Sequence, residues 1–280
     1  MNLTKNDLKL IKYLFECEFL TREQIKNFVL NNLSNRQTDN IISKLKEFKF
    51  IKTSRNPFEF INEDYIYSAE FFAEHSLLNE KTHNKFKKMC NEFELHYIDP
   101  IKYRLFEKET FNNRTHDYFL NNVRFMLEDI GAKNWIPEYI LRKKYNKINN
   151  DKEEDKKIPD GLIEDKLNIA IEVERTLKSP KRYMRIFKKY HNNFEKDIDL
   201  VIYVVVGEKS QYIYDGLERF LTPELKKRDT YKIEKKFNNV KLTDNFYENY
   251  FVIKYEDLKK GKYVIENTYN EKKFYIPDIL

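Results

Sequence analysis

Glycine is scarce in this 280-residue chain, with 5 in all, and proline (7), cysteine (2) and tryptophan (1) are hardly commoner. So little glycine and proline excludes collagen-like and Pro/Gly-rich low-complexity architectures. Two cysteines, Cys17 and Cys90, cannot form a disulfide framework, and their separation fits no zinc-ligand spacing. No apolar run approaches the roughly 20 residues of a membrane-spanning helix, and the N-terminus carries no signal-peptide core, so the expectation is a cytoplasmic protein with no membrane span. The histidines (His75, His83, His96, His116, His191) never form a His-x-His pair. What is present instead is 35% charged and 15% aromatic residues with a net charge of +6, enough core material for two domains and a balance that permits a nucleic-acid partner without demanding one.

The first eighty residues read as a winged helix-turn-helix domain. Thr4 with Asp7, Thr21 with Gln24 and Ser34 with Gln37 are three capping boxes, each opening a short amphipathic helix. The apolar positions are Leu8, Ile11, Leu14 and Phe15 in the first, Ile25, Phe28 and Val29 in the second, and Ile41, Leu45 and Phe48 in the third. An extended run at Phe50–Lys52 and a return through Tyr65–Tyr67 supply the strands of a wing, and a further helix is expected over Ala69–Leu78. Residues 1–60 hold 11 Lys/Arg against 7 Asp/Glu. Arg36, Gln37, Thr38, Asn40 and Lys44 on the third helix, with Lys52 and Arg55 at the wing, are the expected DNA contacts. Arg, Gln and Asn suit base edges in the major groove, whereas Lys and Thr suit phosphates. A winged helix used for protein contacts is the plainer alternative.

Residues 81–114 read as a charged, Tyr-rich connector and 115–280 as a second domain. His116–Ile130 has helical spacing and ends at Gly131. Strands follow at Trp135–Leu141, with Trp135 in the core, at Ile158–Ile163 and at Leu167–Glu174. A basic helix over Pro180–Phe194 and an apolar strand over Leu200–Val206 complete an αβββαβ order. Gln211–Phe220 reads as helix and Phe251–Tyr255 as strand, with the last 25 residues as a peripheral extension. Lys143–Lys157 reads as a polar insertion.

Chemistry concentrates in IPDGLIEDKLNIAIEVERTLKSPKRY, residues 158–183. With period two, Glu172 and Glu174 project from one face of a strand. Adjacent carboxylates on a buried strand are unfavourable unless a positive group sits among them. Mg²⁺ or Mn²⁺ held by Asp160, Glu172 and Glu174 is the expectation. Lys178, or Lys181 and Arg182 at the start of the basic helix, would neutralise charge on a phosphate. The plainer readings are an edge strand with solvated acids, a simple turn at Asp160-Gly161, and a solvated helix start at residues 178–183.

That order of elements, with Pro159-Asp160 ahead of an acidic strand, resembles the PD-(D/E)xK nuclease superfamily of restriction enzymes and junction resolvases, over roughly residues 115–206. The position usually held by lysine is Glu174 here, a departure that bears directly on activity. Together with an N-terminal winged helix and the Lys178-Ser179-x-x-Arg182-Tyr183 run, the chain is similar to MobC-type relaxases and the related replication-relaxation proteins of plasmids and integrative elements. The resemblance implies a restriction-endonuclease-like domain that nicks DNA at a transfer or replication origin with a metal and no histidine motif. It also implies an accessory glutamate, for which Glu138 suits better than Glu128, and other mobilisation or replication proteins as partners. The competing readings are a non-catalytic DNA-binding accessory protein on a nuclease-like scaffold, and an endonuclease that cuts both strands. A covalent role for Tyr183 or another of the 20 tyrosines stays open at this stage.

Overall fold

A computed structural model of the chain describes residues 3–17, 19–48, 50–55, 65–69, 84, 88, 91, 114–142, 157–194, 198–221, 249–267 and 273–280. The expected helix at residues 70–78, nearly all of the connector, and residues 143–156 of the expected insertion lie outside these. The fold is mixed α/β and divides into two compact units, residues 1–122 and 123–280. Among the described residues no helix is long and apolar enough to cross a membrane.

In the first unit all three capping boxes form. Helix α1 (Lys5–Glu16) opens at Thr4, α2 (Arg22–Gln24) at Thr21 and α3 (Asn35–Glu47) at Ser34. Asp7 does more than cap: its buried carboxylate accepts from the Thr4 backbone N–H at 2.6 Å and from Lys44 Nζ at 2.6 Å, tying α3 to α1. α2 continues into a π-helical turn, Ile25–Val29, which capping signals do not disclose. Strands β1 (Leu20–Thr21), β2 (Ile51–Arg55) and β3 (Tyr65–Ala69) form an antiparallel sheet in the order β1-β3-β2. Ala69 therefore closes a strand rather than opening a helix.

Two details of α3 differ from expectation. Its inward stripe is Thr38, Ile42 and Leu45, spaced four and three residues apart, while Ile41 is only half-buried and Phe48 is 42% exposed. Thr38 is fully buried, so it belongs to the core and not to the exposed polar face.

Helix α4 (Arg114–Asp129) contributes its beginning to the first unit, where Gln24 Nε2 donates to Asn122 Oδ1 at 2.7 Å and Asn121 Nδ2 donates to the Phe19 carbonyl at 2.9 Å. The compact units thus part several residues beyond the expected boundary at 114/115, because these amide contacts are invisible to helical periodicity. α4 gives way to Gly131 at φ 116°, a left-handed turn that suits glycine.

The second unit is built on a five-stranded sheet, β4 (Trp135–Pro137), β5 (Gly161–Glu164), β6 (Asn168–Glu174), β7 (Leu200–Val205) and β8 (Tyr250–Lys254), in that spatial order. β4, β5 and β6 pair antiparallel; β6, β7 and β8 pair parallel. Helix α5 (Pro180–Phe194) connects β6 to β7, and α6 (Ser210–Leu221) follows β7. The stripe Tyr183, Phe187 and Tyr190 of α5 enters a core with Leu162, Ala170, Tyr203 and Tyr250. The Phe187 and Tyr250 rings lie 5.1 Å apart at 62°, an edge-on arrangement.

β4 is shorter than expected: residues 138–142 turn helical, so Glu138 starts a helix rather than riding a strand. Asp160 stands immediately before β5 rather than within a strand. Gly161 is required by packing, since a Cβ there would come within 2.1 Å of the buried Trp135 ring. The C-terminal segment is more than peripheral: Ile265 and Ile276 are buried, and Phe274 meets Phe251 edge-on at 5.3 Å.

Candidate active site and nucleic-acid surface

Strand register brings three acids into one row. Pro137 pairs with Gly161 and Gly161 with Ile171, so one step further Glu138, Asp160 and Glu172 stand side by side. The backbone confirms the extension, for Glu138 N–H donates to the Asp160 carbonyl at 3.1 Å. Asp160 Oδ2 in turn accepts from the Val173 N–H at 2.8 Å, which orients its carboxylate toward β6.

The cation of this row is Lys157. Its Nζ lies 2.6 Å from Glu172 Oε1, and Asp160 and Glu138 act on it electrostatically. Burial alone would lower the Lys157 pKa, but the carboxylates outweigh it and the shift is upward, so the ammonium stays charged. Tyr190, from α5, donates its hydroxyl to the same Glu172 oxygen. Glu172 is only 6% exposed. Burial pushes its pKa up, Lys157 opposes the rise, Asp160 adds to it, and the net value is about 7.

Glu174 sits two residues along the same face with separate partners. Lys178 Nζ pairs with Glu174 Oε2, and the Tyr183 hydroxyl donates to that oxygen at 3.3 Å. Tyr183 also accepts from the Lys178 backbone N–H at 3.2 Å. Burial first, and Glu174 second, push the Tyr183 phenol well above its usual pKa. Each glutamate of β6 therefore has one lysine and one tyrosine of its own.

This geometry bears on which residues suit a cation. Asp160 and Glu172 are adjacent in register and present only hard oxygen donors, which suits Mg²⁺ or Mn²⁺. Among the described residues no group of three or more His, Cys, Asp and Glu side chains is gathered as a metal cage. An ion here would rest on Asp160 and Glu172, with water and substrate phosphate as further ligands. Glu174 lies two residues along β6 from the position opposite Asp160, and so stands outside this row. Glu138 lies at the edge of the row, ion-paired with Arg142.

Lys157 and Tyr190 were not anticipated from sequence. Lys157 falls at the end of an unremarkable polar run, and its only signal is position, three residues ahead of Asp160. Tyr190 lies seven residues after Tyr183 on the apolar stripe of α5, where it reads simply as core.

The candidate nucleic-acid residues separate by exposure. Arg36, Asn40, Lys52 and Arg55 are exposed in the first unit. Gln37 is exposed as well, but its Oε1 accepts from Ser34 N–H at 2.9 Å and so serves the cap. Lys44 is tied to Asp7. Lys181 and Arg182 are exposed on α5. No protein-family model, no curated protein and no solved structure matches the chain.

Proposed function

We propose that the protein is a metal-dependent, site-specific DNA nickase acting at a transfer or replication origin of a plasmid or integrative element. The observation that carries this reading is the row Glu138–Asp160–Glu172 gathered on Lys157. It stands where a helix, three antiparallel strands, a helix and a parallel strand follow one another, an order that supports a restriction-endonuclease-like domain. In the first unit, three capped helices with a three-stranded antiparallel sheet support a winged helix that presents Arg36 and Asn40 to the major groove.

Asp160 and Glu172 would hold the ion. When bound, a hard divalent ion supplies Lewis acidity to the scissile phosphate and makes a coordinated water more acidic. Lys157 supplies the fixed positive charge that a lysine at position 174 would have carried, and it offsets charge on the phosphate. Tyr190 holds the Glu172 carboxylate in place. Glu174 and Lys178 support the site through Tyr183 and the start of α5. Tyr183 is buried, its hydroxyl engaged and its ionisation disfavoured, so it is not the attacking group; this scheme gives that role to water, and the reaction is hydrolysis.

A second reading has its own observation. Each β6 glutamate is buried and satisfied by a lysine and a tyrosine, an arrangement that also serves a non-catalytic DNA-binding accessory protein on a nuclease-like scaffold. The two readings part on supercoiled plasmid carrying the host element's origin. With Mg²⁺ or Mn²⁺, wild type is expected to form open circles, and Asp160→Ala to lose at least about 100-fold in rate, comparable with the loss of a transition-state charge partner. Intact supercoils with undiminished DNA binding would establish the accessory role instead. Linear product in the first minutes would mean cutting of both strands.

A further inference from the structure

The positive charge of this protein is concentrated in one place. From Arg175 to Phe194 there are seven Lys/Arg and no Asp or Glu, whereas the remaining 45 basic residues are balanced by 46 acidic ones. This stretch accounts for the chain's whole net positive charge. Within it, Lys178 is used internally by Glu174.

Arg175 precedes α5, and the other five cations lie along it. Lys181, Arg185 and Lys188 are spaced four and three residues apart, which aligns them on one face. Tyr183, Phe187 and Tyr190 occupy the opposite face and are buried in the core. Lys181, Arg182, Arg185 and Lys188 are all exposed, and among the described residues none of them is ion-paired. Like charges at such spacing repel and slightly destabilise a helix, so α5 is held by its packed face while its outer face carries charge that no described residue compensates.

We propose that this outer face, Lys181, Arg185 and Lys188 flanked by Arg182, is a sequence-independent track for the phosphodiester backbone of a polynucleotide. At about 1.5 Å per residue the row is about 10 Å long, a length over which a duplex presents about six phosphate charges. Over residues 181–190 every exposed position is Lys or Arg, residue types that both hold phosphate oxygens. An anionic bilayer is a poorer match, because interfacial helices bury their apolar face in lipid and here that face is spent in the core. The proposal rests on the reading of this unit as one that acts on DNA and adds how the strand is held there.

The test uses the full-length protein, a labelled duplex of arbitrary sequence and a salt titration. The triple variant Lys181→Glu/Arg185→Glu/Lys188→Glu is compared with Lys209→Glu/Lys259→Glu/Lys260→Glu, which changes net charge equally at exposed positions elsewhere. The track variant is expected to lower the log-affinity versus log-salt slope by about 2.7, near 0.9 for each of three phosphates, and to weaken binding at least about tenfold. The control is expected to retain the wild-type slope. Equal behaviour of the two variants overturns the proposal, and so does polyglutamate displacing wild type from a matched surface more strongly than DNA does. Lys→Gln and Arg→Gln versions, with unchanged melting midpoints, guard against a folding defect. Plasmid nicking is followed in parallel. A lost slope without any wild-type nicking keeps the track and rejects the nickase; nicking with an unchanged slope does the reverse.

Discussion

Glu172 carries the sharpest physical tension in the molecule. Its carboxylate is buried, accepts from Tyr190 and faces Lys157, yet its pKa rises to about 7. For a carboxylic acid raised from an ordinary value near 4.5, the folded state holds a proton that the unfolded chain has already released. Stability from this group is therefore greatest below pH 4.5 and falls as pH rises toward 7. The Glu172→Gln variant, which never ionises, escapes that loss. In the presence of a chelator, the stability difference between Glu172→Gln and wild type should move in the variant's favour from pH 5 to pH 8, by on the order of 3 kcal/mol. Urea unfolding at the two pH values measures it, and a difference that does not change with pH would show that Glu172 ionises freely in the fold. The alternation of Glu172 and Glu174 on one face was legible in the sequence, because strand period is a property of the local backbone. That each would find its own lysine and tyrosine was not, since those partners come from the segment before β5, the loop after β6 and α5.

At the scale of elements, α5 and β6 are joined by more than apolar contact. Tyr190 and Tyr183, one helical stripe apart, reach the two β6 glutamates from above, while Phe187 between them packs on Tyr203 and Tyr250. Removing a hydrogen bond to a buried charged group costs about 2 kcal/mol. Tyr190→Phe should therefore lower unfolding free energy by about 2 kcal/mol, and Tyr183→Phe by less, its bond to Glu174 being 3.3 Å long. Equal, negligible effects in denaturant melts would mean that the hydroxyls are replaced by water without loss. The elements themselves were largely readable. Three Ser/Thr capping boxes, the α5 stripe and the apolar run of β7 each signal through neighbours within four residues or so. The misreadings have equally local causes: β4 stops at Pro137 where the chain turns helical, and the stripe of α3 passes through Thr38, which polarity alone assigns outward.

For the molecule as a whole, the division of labour proposed for the two units can be checked unit by unit. In the first, Arg36 and Asn40 are exposed on α3 and neither serves a cap or an ion pair among the described residues. Arg36→Ala and Asn40→Ala should each weaken binding to the cognate site by about 1–3 kcal/mol, the worth of a bidentate base contact, with little change for arbitrary sequence. Equal losses on both kinds of DNA would make these residues phosphate contacts, and no loss on either would direct the first unit toward protein partners. The charge of α5 predicts the complementary behaviour, strong dependence on salt and none on sequence.

By itself the sequence determined the order of elements, their caps and periodicities, the scarcity of disulfide or membrane-spanning material, and the short stretch in which acids and bases gather. These are short-range properties, set by backbone geometry and by side chains a turn or a pleat apart. Tertiary structure alone decided that Glu138, Asp160 and Glu172 share a row, that Lys157 is their cation, that Glu174 is occupied by Lys178 and Tyr183, and that α4 lends its first turns to the first unit. Each of these depends on strand order, pairing register or a contact between distant segments, where a shift of one residue would turn a side chain to the opposite face and dissolve the arrangement.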